Sequence, residues 1–278
     1  MNNQRSDGIE NLLVKHISRL LDDSVLSCHR LHGGGLSEVV RLLLGSGKNI
    51  VAKSGPYPER EGQMLRVLAE AGANVPRPIA SNSDVLVLED LGPEVPSSDG
   101  MWQDLGAQLR VLHAETGDLY GWESDYAFGN MRIDNGWKNR WSEFWFEQRL
   151  AADIHVLPPD IARRLEKLQR RITALLPDRP RPSLLHGDLW SGNVYFAADG
   201  KAYLIDPASY YGHAEVDLAM LTLFGAPPGA FWDVYGHLGE GWQHRRHAYQ
   251  LWPALVHFRL FGEGYRAMVE TLLAALDE

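Results

Sequence analysis

His186-Gly187-Asp188-Leu189-Trp190-Ser191-Gly192-Asn193, followed after one hairpin by Asp206-Pro207-Ala208, is the stretch on which the reading of this chain turns. The hairpin is signalled by two short apolar runs, Val194-Tyr195-Phe196 and Ala202-Tyr203-Leu204-Ile205, on either side of Ala197-Ala198-Asp199-Gly200-Lys201. Asp-Gly supplies the positive backbone angles that tight hairpin turns need. Two acids and an amide therefore bracket one hairpin. Singly, Asp188 reads as a turn cap and Asn193 as a residue of a glycine-containing loop, the commonest roles of such side chains. As an ordered set around a hairpin they read as a site.

That set has the parts phosphoryl transfer needs: a carboxylate to orient the attacking hydroxyl and accept its proton, and oxygen ligands for a magnesium ion that neutralises the phosphates. Asp188 is the candidate base, and Asn193 and Asp206 are the candidate metal ligands. The interval from Asp188 to Asn193 resembles that of the kinase catalytic loop, which implies ATP and Mg²⁺.

A kinase-like site also needs a glycine-rich turn over the phosphates and a strand lysine paired to a helix glutamate. Gly33-Gly34-Gly35-Leu36-Ser37 lets backbone approach a nucleotide closely, with amides or the Ser37 hydroxyl facing phosphate oxygens. Lys53 ends the run Asn49-Ile50-Val51-Ala52-Lys53, and Glu59 and Glu61 compete as its partner. Glu61 is preferred because Leu65 and Leu68, at i+4 and i+7, put it on the inward helix face. Val87-Leu88-Glu89-Asp90-Leu91 fits a hinge, where Glu89 and Leu91 would offer backbone groups to an adenine edge. Asp217, at the start of a predicted helix, reads as a brace for the catalytic loop, and His113 as a core residue.

Outward from these motifs, apolar residues recur every three or four positions from Ile9 to Leu21, predicting an N-terminal helix. Three β-rich runs follow (Val25–Leu31, Glu38–Leu44, Ile50–Lys53), then a helix from Glu59 to Ala71 stopped by Gly72, an extended Val75-Pro76-Arg77-Pro78, and a buried strand over Val85–Leu88. Beyond Gly92 the chain turns helical and aromatic, with helices over Trp102–His113 and Ile161–Leu176. The expected fold class is α+β: a protein-kinase-like pair of lobes, with a small antiparallel-sheet N-lobe (1–90) and a mostly helical C-lobe (91–278).

The 278 residues carry 27 Lys and Arg against 36 Asp and Glu, a net charge of −9. That balance argues against a surface gathering phosphate backbone, so no nucleic-acid partner is expected. The single cysteine, Cys28, excludes an internal disulfide. The leading segment mixes acids among its apolar positions unlike a secretory signal, and the apolar run Leu251–Phe261 is interrupted by Pro253, His257 and Arg259. A cytoplasmic protein with no membrane span is the expectation.

Taken together the motifs resemble the fructosamine (ketosamine) kinase family, relatives of the aminoglycoside and choline phosphotransferases, across nearly the whole chain. Trp190 within the catalytic loop, Tyr211-Gly212-His213-Ala214-Glu215-Val216-Asp217-Leu218-Ala219-Met220, Leu223-Phe224-Gly225, Phe231-Trp232-Asp233-Val234-Tyr235 and the aromatic stretch from Phe128 through Gln148-Arg149-Leu150 carry the resemblance. It implies transfer of the ATP γ-phosphate to the 3-hydroxyl of a small-molecule or protein-bound ketosamine, and subsequent deglycation. Trp190 and His213 are then substrate-side candidates. Position 214 is Ala where a basic residue is expected. The competing readings are phosphorylation of an aminoglycoside- or choline-like amino alcohol, and a nucleotide-binding pseudokinase. The presence of Asp188, Asn193, Asp206 and Lys53 opposes the last.

Overall fold

The computed structural model describes residues 13–31 and 37–277. The expected helical residues 9–12 and the glycines Gly33, Gly34 and Gly35 lie outside that range. Helix α1 occupies residues 13–21. Five antiparallel strands follow in the spatial order β1-β2-β3-β5-β4, with β1 at Val25–Arg30, β2 at Val39–Leu44, β3 at Asn49–Lys53, β4 at Pro78–Ser81 and β5 at Leu86–Glu89.

Strand alternation sorts this sheet's two faces. Val40, Leu42, Ile50, Ala52, Val85 and Val87 turn toward Leu13 and Ile17 of α1 and form a closed core. Val51 and Lys53, one residue out of step with Ile50 and Ala52, therefore face the opposite way, into the space between the lobes. Helix α2 (Pro58–Glu70) packs there, burying Glu61, Met64, Leu65 and Leu68 along one stripe. Its Pro58 start suits a first helical turn, and Gly72 at φ +94° ends the run.

The second lobe begins with α3 (Asp99–Leu112), whose N-cap Ser98 accepts from the Met101 amide at 3.4 Å. A short hairpin, β6 (Tyr126–Phe128) with β7 (Met131–Ile133), precedes α4 (Trp141–Trp145). Helix α4 runs into one π-helical turn, Phe146–Leu150, and α5 spans Pro159–Leu175. Two pairs of short strands then meet the helices: β8 (Ser183–Leu185) with β11 (Tyr210–Gly212), and β9 (Val194–Phe196) with β10 (Ala202–Leu204). Helices α6 (Glu215–Leu221), α7 (Gly229–Tyr235), α8 (Trp242–Phe261) and α9 (Arg266–Asp277) complete the lobe.

The aromatic stretch fills this lobe's centre. Trp141, Phe144, Trp145, Tyr210 and Tyr249 are almost wholly buried, with Trp141 Nε1 donating to the Tyr249 hydroxyl at 2.9 Å. Arg149 is buried among them, its guanidinium stacked on Phe144, Tyr210 and Trp252 and donating to the Asp134 carbonyl and Asn135 Oδ1. No helix among the described residues is long and apolar enough to cross a membrane.

Away from the cleft and the shared apolar core, hydrogen bonds at Asn74, Arg60 and Gly92 tie the first lobe and its connection to the second. Asn74, after α2, donates through Nδ2 to Asp104 Oδ2 and the Ala202 carbonyl, while its own amide donates to Gln108 Oε1. Arg60, near the start of α2, donates to the Asp125 carbonyl at 2.5 Å. Beyond β5, the Tyr195 hydroxyl donates to the Gly92 carbonyl at 2.5 Å.

Candidate active site

The cleft between the lobes encloses about 1030 Å³ out to its mouth and is lined by Val51 and Lys53 from β3, by the Leu88–Gly92 connection, and by Asn193 and Asp206. Lys53 Nζ lies 2.9 Å from Glu61 Oε1 and 2.8 Å from Asp206 Oδ1. Burial alone would push this ammonium's pKa down, but the Glu61 and Asp206 carboxylates outweigh it and hold Lys53 well above its ordinary value. Glu61 sits above the usual carboxylate range because burial, then the nearby Asp206 charge, overcome the pull of Lys53. The Tyr126 hydroxyl donates to the other Glu61 oxygen at 3.3 Å.

Across the cleft, Asn193 Nδ2 donates to the Asp188 carbonyl at 2.8 Å and to Asp188 Oδ2 at 3.0 Å. The side-chain nitrogen is thus spent on the loop, and Asn193 Oδ1 is the atom left for a ligand. Asp188 keeps an opening to solvent, yet protein crowds around it. Burial, reinforced by Asp206, pushes its carboxyl up to about 7.

Two backbone features place these groups. Gly187 has φ +83°, and a Cβ there would stand 2.0 Å from the Ala208 carbonyl oxygen. Asp206 adopts φ +56°, a left-handed conformation that Asp tolerates better than most side chains. The loop is tied down by Asp217, which is fully buried and accepts from the amides of His186 (2.7 Å) and Gly187 (2.9 Å) and from His113 Nε2 (3.2 Å). His186 donates from Nε2 to the Ile205 carbonyl and accepts at Nδ1 from the Asp188 amide, bonds that require the neutral ring. Burial lowers the His186 pKa in the same sense.

A carboxylate and an amide oxygen, both hard donors on one wall of the cleft, fit magnesium. Among the described residues no group of three His, Cys, Asp and Glu side chains could hold an ion alone, so phosphate and water oxygens would complete the shell.

Of the residues singled out in the sequence, Lys53, Glu61, Asp188, Asn193 and Asp206 converge, and Glu89 and Leu91 line the same cleft. Ser37 stands two residues before β2, at the edge of the described chain. Trp190 lies across Gly192, where a Cβ would meet its ring at 2.3 Å, and meets Phe224 edge-on. His213 goes elsewhere: its Nδ1 accepts from the Tyr249 hydroxyl at 2.7 Å, and it lines a separate surface hollow with His113, Ala214 and Tyr235. Burial pushes its pKa down to about 4.

Sequence reasoning missed Tyr126, which no local motif marks, and Arg41. The Arg41 guanidinium reaches from β2 to Asp90 at 2.8 to 2.9 Å and to the Gly92 carbonyl at 2.7 Å, bracing the connection between lobes. A charged side chain inside the apolar run of β2 was the available signal.

An antiparallel sheet with a buried Lys–Glu pair, facing a helical lobe that carries an Asp–Asn loop and a second Asp after a hairpin, defines a kinase-like phosphotransferase. The sequence profile of the fructosamine kinase family matches residues 13–277. A probable ketoamine kinase of Synechocystis is 38% identical over 214 residues, 72% of this chain and 71% of that one. A candidate fructosamine-3-kinase of Thermobifida fusca superposes with a TM-score of 0.84 at 31% identity, covering 96% of this chain and 98% of that one. Choline kinase from Streptococcus pneumoniae shares the fold at a TM-score of 0.64 and 17% identity, over 97% of this chain and 99% of its own. The chain belongs to the fructosamine kinase family.

Proposed function

We propose that this enzyme transfers the γ-phosphoryl group of ATP to the 3-hydroxyl of a ketosamine. The convergence of Lys53, Asp206, Asn193 and Asp188 on one cleft carries the reading. Asp188 orients the hydroxyl and accepts its proton as the oxygen attacks phosphorus and ADP departs. Asn193 and Asp206 would hold Mg²⁺, and that ion would supply positive charge to offset the phosphates. Lys53, kept charged and aimed by Glu61, meets phosphate oxygens, and the Gly33–Ser37 run is the proposed phosphate loop. The Glu89 amide already donates to the Arg77 carbonyl at 3.0 Å, so Leu91 and the Glu89 carbonyl are the hinge groups left for adenine.

Below Asp188 a narrow apolar pocket, lined by Gly187, Phe128, Trp252, Pro253 and His257, supports acceptor binding on that side. Loss of the 3-phosphate by elimination would then free the amine and reverse glycation, acting in the cytoplasm on free or protein-bound ketosamines.

The test is magnesium-dependent ATP consumption across ribulosamines, fructosamines, aminoglycosides and choline. Turnover confined to ketosamines is the expected result. Turnover only on an aminoglycoside or choline would keep the mechanism and overturn the acceptor. ATP binding without any turnover would indicate a pseudokinase.

A further inference from the structure

The pocket under Asp188 has His257 in its wall. His257, which lines it, is the inner member of a run of aromatic rings that leads to the surface. Phe224 lies 4.9 Å from His257, and on the other side Phe261 and Tyr265 lie 5.5 and 5.1 Å away and 6.0 Å from each other. Phe224 is 37% exposed and Phe261 48%, large values for rings that could have packed inward. Aromatic faces left open next to a reaction centre, and continuous with it, are the kind of surface that receives ligand rather than solvent.

The chemistry of His257 sharpens this. Its Nδ1 lies 2.8 Å from the Pro253 carbonyl, which can only accept, so Nδ1 carries the hydrogen. Burial disfavours a second proton. Nε2 is therefore a lone-pair acceptor set among aromatic rings. A ketosamine joins its sugar to its carrier through a secondary ammonium, a donor suited both to a ring nitrogen and to aromatic faces.

We propose, building on the ketosamine reading above, that Phe224, His257, Phe261 and Tyr265 form a subsite for the amine carrier. Sugar sits at Asp188, ammonium at the His257 ring, and the group beyond the ammonium lies along Phe261 and Tyr265. The subsite selects carriers whose amine is followed by an aromatic ring over carriers that end at a methyl group.

The experiment compares kcat/KM for the ribulosamines of 2-phenylethylamine and of methylamine, in the parent enzyme and in Phe224→Ala and Phe261→Ala. Both rings are partly exposed, so neither change should unfold the protein, and melting temperatures check this. The parent should favour the phenylethyl substrate by about tenfold, the size expected of one ring contact. Phe261→Ala should bring the ratio close to one, chiefly through KM of the phenylethyl substrate, and Phe224→Ala should reduce it. Equal kcat/KM for both substrates in the parent, or an unchanged ratio in both variants, would overturn the subsite and leave the ketosamine reading standing. Failure of the parent to phosphorylate either ribulosamine, with turnover on another alcohol, would overturn both.

Discussion

Asp188 pays for its role in stability: a carboxyl pushed up to about 7 is one the folded protein would rather keep protonated. With an unfolded value near 4, the folded state binds more protons between these two values. The contribution of Asp188 to stability is therefore full below about pH 4 and is lost as pH rises through about 7. Asp188→Asn should flatten that decline and raise the melting temperature at pH 8, seen by calorimetry across pH, while turnover falls at least about 10³-fold. ADP should bind with little change; lost nucleotide binding would instead move Asp188 into the metal shell. A melting temperature at pH 8 below that of the parent would contradict the linkage argument. The residues most legible in the sequence were those whose partners are close along the chain, such as Asp188 and Asn193. Arg41 and Tyr126 act on groups 49 and 65 residues away, and no local spacing reports such a contact.

At the scale of elements, strand β6 joins two parts of the site. Tyr126 at its start donates to Glu61, and Phe128 at its end lines the pocket under Asp188. Tyr126→Phe should raise the ATP KM by about two- to tenfold through looser aim of the Lys53–Glu61 pair, the worth of roughly one hydrogen bond to a charged group. An unchanged nucleotide affinity in a folded variant would remove Tyr126 from that role. Lys53→Met should be the more damaging change, because it leaves Glu61 buried without its cation; a loss of about 3 kcal/mol is expected, and denaturant unfolding measures it. Adding Glu61→Gln to Lys53→Met should recover part of that loss. The larger elements were readable because alternation in β2 and β3 and the Asp-Gly turn of the β9–β10 hairpin are local signals. The three-residue strands β6 and β7 and the π-helical turn at Phe146–Leu150 were not, since neither is long enough to show a period.

Over the whole molecule, one apolar core runs from α2 and β5 of the first lobe through α3, α4, α5 and α8 of the second. The lobes should therefore unfold in a single calorimetric transition. Asp104 is the centre of the polar join between them, accepting from Asn74 Nδ2, Gln108 Nε2 and the Ala202 amide. Asp104→Ala should cost about 2 to 3 kcal/mol by stranding these donors, and two resolved transitions in that variant would show the join to be what couples the lobes. That such a join exists was invisible in the sequence, which marks Asn74, Asp104 and Ala202 in no shared pattern.

The three contacts at Arg60, Asn74 and Gly92 have a mechanical meaning. A plate pinned at the two ends of one beam and again at its far corner has no axis left to swing about. Nucleotide entry in this enzyme should thus leave the two lobes at the same separation rather than open them like a jaw. The radius of gyration in solution should stay the same when ATP and magnesium are added, and a measurable contraction would mean that at least one pin gives way.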